Sequence, residues 1–356
     1  MRGAAGEVFS CRRAPRRVFL LLALAFGAAI QLACAASEPE SAASTTAPTR
    51  VVRGERLTVE IMDPNHPDRY HRGERFSPVA NVLRVRMDGV DFLHAPEDGH
   101  DPYADNGGLA MEFDNAKFGP PGFLEAKIGE GFVKVGVGVL RKADELYHYG
   151  RRQEVIERAR TEVGWREDGA DFRQVCAGVN GYAYTLDASV RIDGPALEIM
   201  YRLSNTGARR FSTRQYAHNY FRFGLDRMDG GLEVEFPFDF DPVLHEGARD
   251  VRQAGRTLIY PPLREEYANV TVPILYHYWD DNVLLARHRP TGRAILARTS
   301  MLGPHVFIHQ RPAYISPEQF VVLRLLPGES AEWRRRYVFI VDPENPPLAR
   351  VLAGDS

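Results

Sequence analysis

The densest run of side chains able to bind ligands or move protons is Gln215-Tyr216-Ala217-His218-Asn219-Tyr220. It places one imidazole, two amides and two phenols within six residues, beside Phe221 and Phe223. A surface strand would set charged residues against apolar ones, and a core strand would not carry so many groups that need partners. The run suits a concave, polar pocket lined by aromatic rings, such as one that holds a sugar. His218 can give or take a proton near neutrality. Its plainer alternative, a core histidine bonded to a backbone carbonyl, stays open on these residues alone.

The elements that would position these groups read as strands. In LEIMYRLSNTG, Leu197, Ile199, Tyr201 and Leu203 share one face, and the turn Ser204-Asn205-Thr206-Gly207 leads into the polar strand. LTVEIM at 57–62 alternates, and Asp88-Gly89 between two alternating runs predicts a hairpin. FVKVGVGVL at 132–140 reads as one strand with four valines on a face. Similar strands recur to residue 341, whereas 94–130 has little periodicity and reads as a long loop. The one helical suggestion is a short segment near 246–255. With 31 glycines, 24 prolines, 44% hydrophobic residues and no repeat of fixed period, the chain is expected to be all-β, a large antiparallel β-sandwich.

A net charge of −2 gives no basic footprint, so no nucleic-acid partner is expected. Arg12, Arg13, Arg16 and Arg17 precede an apolar run from Val18 to about Ile30, and Ala33-Cys34-Ala35 offers a small-residue cleavage pattern. The expected organisation is a signal peptide over 1–35, a disordered polar linker over 36–52 and one β-sandwich domain over 53–356. Export by the Sec or the twin-arginine route leads to a periplasmic or extracellular protein, and a lipid on Cys34 would add membrane attachment. Cys176 alone remains in the mature domain, which leaves no intrachain disulfide and no Cys-based zinc site. The eleven histidines are scattered, and His305 and His309 lie four apart on a strand, so neither metal nor cofactor is expected. The Asp-rich stretch at 98–106 is only loosely suggestive of calcium.

LEIMYRLSNTG followed by TRQYAHNYFRFG resembles a strand pair of the aldose 1-epimerase (galactose mutarotase) superfamily. SPEQFVVLRLLPGESAEWRRRYVF is similar to its C-terminal glutamate, Pro-Gly-Glu turn and last strand, and RGERFSPVANVLRVRMDGVDFLH to its opening strands. The resemblance implies a galactose mutarotase-like supersandwich with a sugar cleft. It further implies His218 as general acid toward the ring oxygen and Glu318 as general base toward the anomeric hydroxyl. Arg72, Arg75, Glu112, His148, Tyr216 and Asn219 are the expected substrate-binding residues. A departure stands beside this match: where the family carries an earlier Leu-His-Gly-Gly-like histidine, this chain has Asn106-Gly107-Gly108-Leu109, with Glu112 close by and His148 able to fill the gap. The expected function is an exported, monomeric aldose 1-epimerase-like isomerase acting on a mono- or oligosaccharide. The alternatives are a non-catalytic carbohydrate-binding protein, or a glycan lyase or glycosidase using Glu112 and Glu318 on the same scaffold.

Overall fold

In a computed structural model, residues 48–114, 119–263, 265–274 and 282–355 are described. The expected signal peptide, with Cys11 and Cys34, and residues 36–47 of the expected linker lie outside the described residues. Thr45–Ser356 is one compact unit. The sheet begins at Thr49, inside the span expected to be linker: Thr49–Arg53 pairs with Leu57–Met62 as the edge strand, so the backbone groups on its inner side are held in a ladder.

Two large sheets dominate. A seven-stranded sheet runs Thr49–Arg53, Leu57–Met62, Phe76–Met87, Leu109–Asp114, Phe211–Asn219, Val321–Leu325, with Val90–Asp91 paired to Phe76–Met87. A ten-stranded sheet has Asn282–His288, Arg293–Thr299, Ser330–Val341, Ala196–Asn205 and Tyr182–Asp193 as its central strands. A four-stranded sheet contains His305–Arg311 and Tyr314–Gln319, and a three-stranded one Gly131–Lys134, Gly138–Arg141 and Val155–Arg158. The pairings among the named strands are antiparallel, and the fold is the all-β sandwich expected from the pattern.

The two large sheets bury one core between them. Phe113 meets Trp333 and Phe92 meets Phe339 across the gap, at centroid separations of 6.2 and 5.3 Å. Along Ala196–Asn205 the expected alternation holds: Leu197, Ile199, Tyr201 and Leu203 are buried while Met200 is half exposed. The Asp88-Gly89 hairpin forms, with both residues at positive φ and Met87 opposite Val90.

Three expectations change. The run 132–140 is a hairpin, not one strand, because Gly136 and Gly138 take positive φ and reverse the chain between Gly131–Lys134 and Gly138–Arg141. Within the supposed loop 94–130, Leu109–Asp114 is a central strand; all six of its residues are buried, so no alternation betrays it. Near 246–255 the structure has the strand Arg252–Ala254 and no helix; the single α-helix among the described residues is Leu348–Gly354.

Candidate active site

Strand parity builds the site. Along Phe211–Asn219, Gln215 and Asn219 point toward the ten-stranded sheet, where Gln215 accepts from Arg335 and Asn219 Oδ1 accepts from Tyr337 Oη at 3.0 Å. Tyr216, His218 and, just beyond, Tyr220 therefore point the other way, into a cleft of about 730 Å³. That volume is typical of a small-molecule site. On Tyr314–Gln319 the same parity turns Tyr314, Ser316 and Glu318 into the cleft. His309 and Arg311 enter it from His305–Arg311, whose pairing with Tyr314–Gln319 fixes their register.

His218 sits between two carboxylates. Its Nδ1 lies 2.8 Å from Glu318 Oε1, and its Nε2 3.1 Å from Glu112 Oε2. Burial opposes the imidazolium, but the Glu318 charge and the hydrogen bonds to both carboxylates outweigh it, and the pKa of His218 is raised above its ordinary value. Both ring nitrogens face carboxylates, which favours the protonated ring. Ser316 Oγ donates to Glu318 Oε1 at 3.2 Å, orienting that carboxylate.

Glu112 has no exposed surface. Arg75 Nε donates to its Oε2 at 2.8 Å, and the fully buried Lys134 donates from Nζ to its Oε1 at 3.3 Å and to Tyr147 Oη at 2.9 Å. Burial alone would raise the Glu112 pKa; Lys134, Arg75 and the His218 bond hold it far below the carboxylate range. Held toward its ionised form, Glu112 favours a proton on Nε2 of His218. Nδ1, facing Glu318, is the nitrogen whose proton can move.

The structure brings His218, Glu318, Tyr216, Arg75 and Glu112 together, although Glu112 supports the cleft from beneath and does not line it. It does not bring in the other three. Asn219 is buried behind the sheet, donating to the Pro317 carbonyl at 2.6 Å. His148 is exposed, accepting from the Gly150 amide and stacking on Tyr149, and it is Tyr149 that lines the cleft, with the Arg75 guanidinium 4.3 Å from its ring centroid. Arg72 lies outside the cleft, 3.6 Å from Asp68.

Sequence reasoning missed Asn106, His94, His309 and Arg214. Asn106 lines the cleft at the turn before Gly107-Gly108, and its Nδ2 is buried with no partner. His94 and His309 flank Tyr314, at 5.4 and 6.0 Å between centroids. Burial lowers the pKa of each to about 4, so both are neutral at pH 7; His309 lies 2.6 Å through Nδ1 from Asn269 Oδ1 and accepts from Arg311 Nε at 3.3 Å. The alternation His305, Phe307, His309, Arg311 was the available signal. Phe320 stacks on Tyr216 at 4.3 Å and completes an aromatic wall.

No protein-family model and no curated protein sequence matches the chain. Solved structures do match. The Slr1438 protein from Synechocystis sp. PCC 6803 superposes with a TM-score of 0.54 at 13% identity, covering 83% of this chain and 97% of that one. A galactose mutarotase related enzyme from Lactobacillus acidophilus gives 0.54 at 11% identity, covering 84% and 100%. A galactose mutarotase-like protein from Lactobacillus casei ATCC 334 gives 0.51 at 11%, covering 82% and 100%. The fold of this chain is the galactose mutarotase-like β-sandwich. At these identities the likeness carries the architecture, and function must be argued from the cleft itself.

Proposed function

We propose that this protein is an exported aldose 1-epimerase-like isomerase that interconverts the anomers of a sugar. The observation that carries the reading is the contact between His218 Nδ1 and Glu318 Oε1, one hundred residues apart in sequence, on the floor of an aromatic, polar cleft. The ring oxygen and anomeric hydroxyl of a hemiacetal are attached to one carbon, so a single sugar bound against both groups, exchanging their mutual contact for its own, can meet both. The Nδ1 proton of His218 passes to the ring oxygen while Glu318 removes the proton of the anomeric hydroxyl. The ring opens to the aldehyde, the C1–C2 bond rotates, and closure on the other carbonyl face returns both protons. Each positioned group contributes about 10²–10⁴-fold. Aromatic walls at Tyr149, Tyr216 and Phe320 offer faces to the sugar's C–H surface, and Arg75 and Asn106 offer partners to its hydroxyls.

One observation favours a second reading, a carbohydrate-binding protein without turnover: both ring nitrogens of His218 are already engaged by carboxylates, and Asn106 stands in the place of the family's earlier histidine. A glycosidase is disfavoured because Glu112, the partner it would need, is sealed beneath the cleft by Lys134 and Arg75. Polarimetry of freshly dissolved α-anomers of several aldoses separates the readings. Isomerisation faster than buffer, abolished in His218→Ala and Glu318→Ala, supports the enzyme; identical traces for all three proteins, with sugar binding retained, support the binding module.

A further inference from the structure

Beside the cleft lies a group of arginines that the proposed chemistry does not use: Arg69, Arg72, Arg152 and Arg158, gathered around Tyr103. The guanidinium carbons of Arg72 and Arg152 are 5.4 and 4.9 Å from the Tyr103 ring centroid. Arg158 donates to the carbonyls of Arg72 and Gly73, at 2.5 and 3.4 Å, which pins it against the same loop. Carboxylates are scarce here. Arg72 has only the exposed Asp68 at 3.6 Å, and among the described residues Arg69, Arg152 and Arg158 have no carboxylate within ion-pair distance. Arg69 Nε and Arg72 Nε are buried without a hydrogen-bond partner.

Like charges held this close with little counter-charge oppose one another. The pKa of Arg69 is lowered by burial first and then by Arg158 and Arg72, and burial lowers that of Arg158 even with Glu74 acting against it. Guanidinium forks match planar oxyanions, and an anion seated among them would relieve the repulsion and partner the buried Nε atoms. The group is continuous with the cleft through two segments. Ala104, Asp105 and Asn106, directly after Tyr103, line the cleft, and so does Tyr149, three residues before Arg152. The loop carrying Arg72 is clamped to the same segment: the Arg72 amide donates to the Pro102 carbonyl at 2.6 Å, and a Cβ on Gly73 would come within 2.4 Å of the Tyr103 carbonyl oxygen.

We infer that the Arg69, Arg72, Arg152 and Arg158 group is an oxyanion subsite at the rim of the cleft, taking a carboxylate, sulfate ester or phosphate ester carried by a saccharide whose neutral ring occupies the cleft. The inference rests on the sugar reading of that cleft and names its substrate class as an anionic saccharide. Tyr103, partly exposed, supplies the ring against which the anion-bearing sugar packs.

The test is calorimetric titration of the full chain with matched oligosaccharides, one neutral, one bearing a uronate, one a sulfate and one a phosphate, alongside inorganic sulfate. At least one anionic saccharide is expected to bind about tenfold or more tightly than its neutral match, with the difference shrinking as salt is raised. Which of the three does so identifies the source of the anion. The exposed Arg152→Ser and the more buried Arg69→Gln should each remove most of the difference and leave neutral binding unchanged; Arg152→Ser keeps the test valid should Arg69→Gln misfold. Equal affinity for anionic and neutral saccharides, or losses in the variants that are the same for both, would overturn the subsite. A preference for anionic saccharides without any anomer exchange would uphold it while removing the isomerase reading. Failure of every saccharide to bind would remove both.

Discussion

Replacing Lys134 by methionine probes the support beneath His218. Lys134 and Glu112 are both wholly buried, so deleting the ammonium leaves a carboxylate in a low-dielectric interior with Arg75 and the His218 imidazolium as its remaining cations. Breaking a buried pair on one side costs about 3–5 kcal/mol. The two surviving cations set the expectation at the lower end, about 3 kcal/mol, with Tyr147 also losing its donor. With an unfolding entropy of about 2.1 cal/mol/K per residue, a unit spanning Thr45–Ser356 shifts in Tm by about 1.5 °C per kcal/mol, so the variant should melt roughly 5 °C lower. Glu112→Gln should be destabilising too, since it strands Lys134. The double variant Lys134→Met/Glu112→Gln should fall short of the sum by about 1 kcal/mol or more, because neither charge is then left alone. Urea titrations at pH 7, read as shifts in midpoint at unchanged slope, measure all four corners of the cycle. Single-variant losses below about 1 kcal/mol that simply add in the double variant would refute the reasoning.

Stability should respond to pH with opposite signs at the two partners. The His218 pKa is raised from 6.5, so its contribution is full below about pH 6.5 and is lost as pH climbs through the folded-state value. The stability advantage of wild type over His218→Gln in urea should therefore be larger at pH 6 than at pH 9. Glu112 is held low, so its contribution is present above about pH 4.5 and declines as the solution is made more acidic; Glu112→Gln should flatten the acid limb of the stability curve. Gly108→Ala should cost about 2 kcal/mol or more, because φ is +72° there and the new Cβ would sit 2.0 Å from the Val82 carbonyl oxygen, just ahead of the Leu109–Asp114 strand. Burial pushes the Cys176 thiol up to about 11, so in protein lacking residues 1–35 a disulfide reagent at pH 8 should label it only on unfolding; fast labelling of the folded protein would contradict its burial.

How much of this was legible in the sequence depended on whether a strand has one wet face or none. The polar strand 211–219 declared a site because Tyr216, His218 and Tyr220 share one parity, but Asn219, on the other parity, was misread as substrate-binding when it secures Pro317 and Tyr337 behind the sheet. Leu109–Asp114 was hidden because burial on both faces removes alternation. Glu318 was legible only through resemblance: it lies within Tyr314–Gln319, the last strand of the four-stranded sheet, yet only 4% of its surface is exposed. In the charged run Arg334-Arg335-Arg336, the parity of the strand sends Arg335 inward to Gln215 and the Gln319 carbonyl. Lys134 reaches Glu112, 22 residues earlier, from the end of a hairpin strand whose reversal at Gly136 no hydrophobic pattern reports.

The central claim is that His218 and Glu318 pass protons to and from a hemiacetal. Saturation-transfer NMR between the anomeric protons of an aldose at equilibrium reports that exchange without added reagents, and Glu318→Gln removes the base while keeping the shape of the cleft. Exchange above the buffer rate in wild type, reduced about 10²–10⁴-fold in Glu318→Gln, is the predicted result. Exchange at the buffer rate in both proteins, with the sugar still bound, would contradict it.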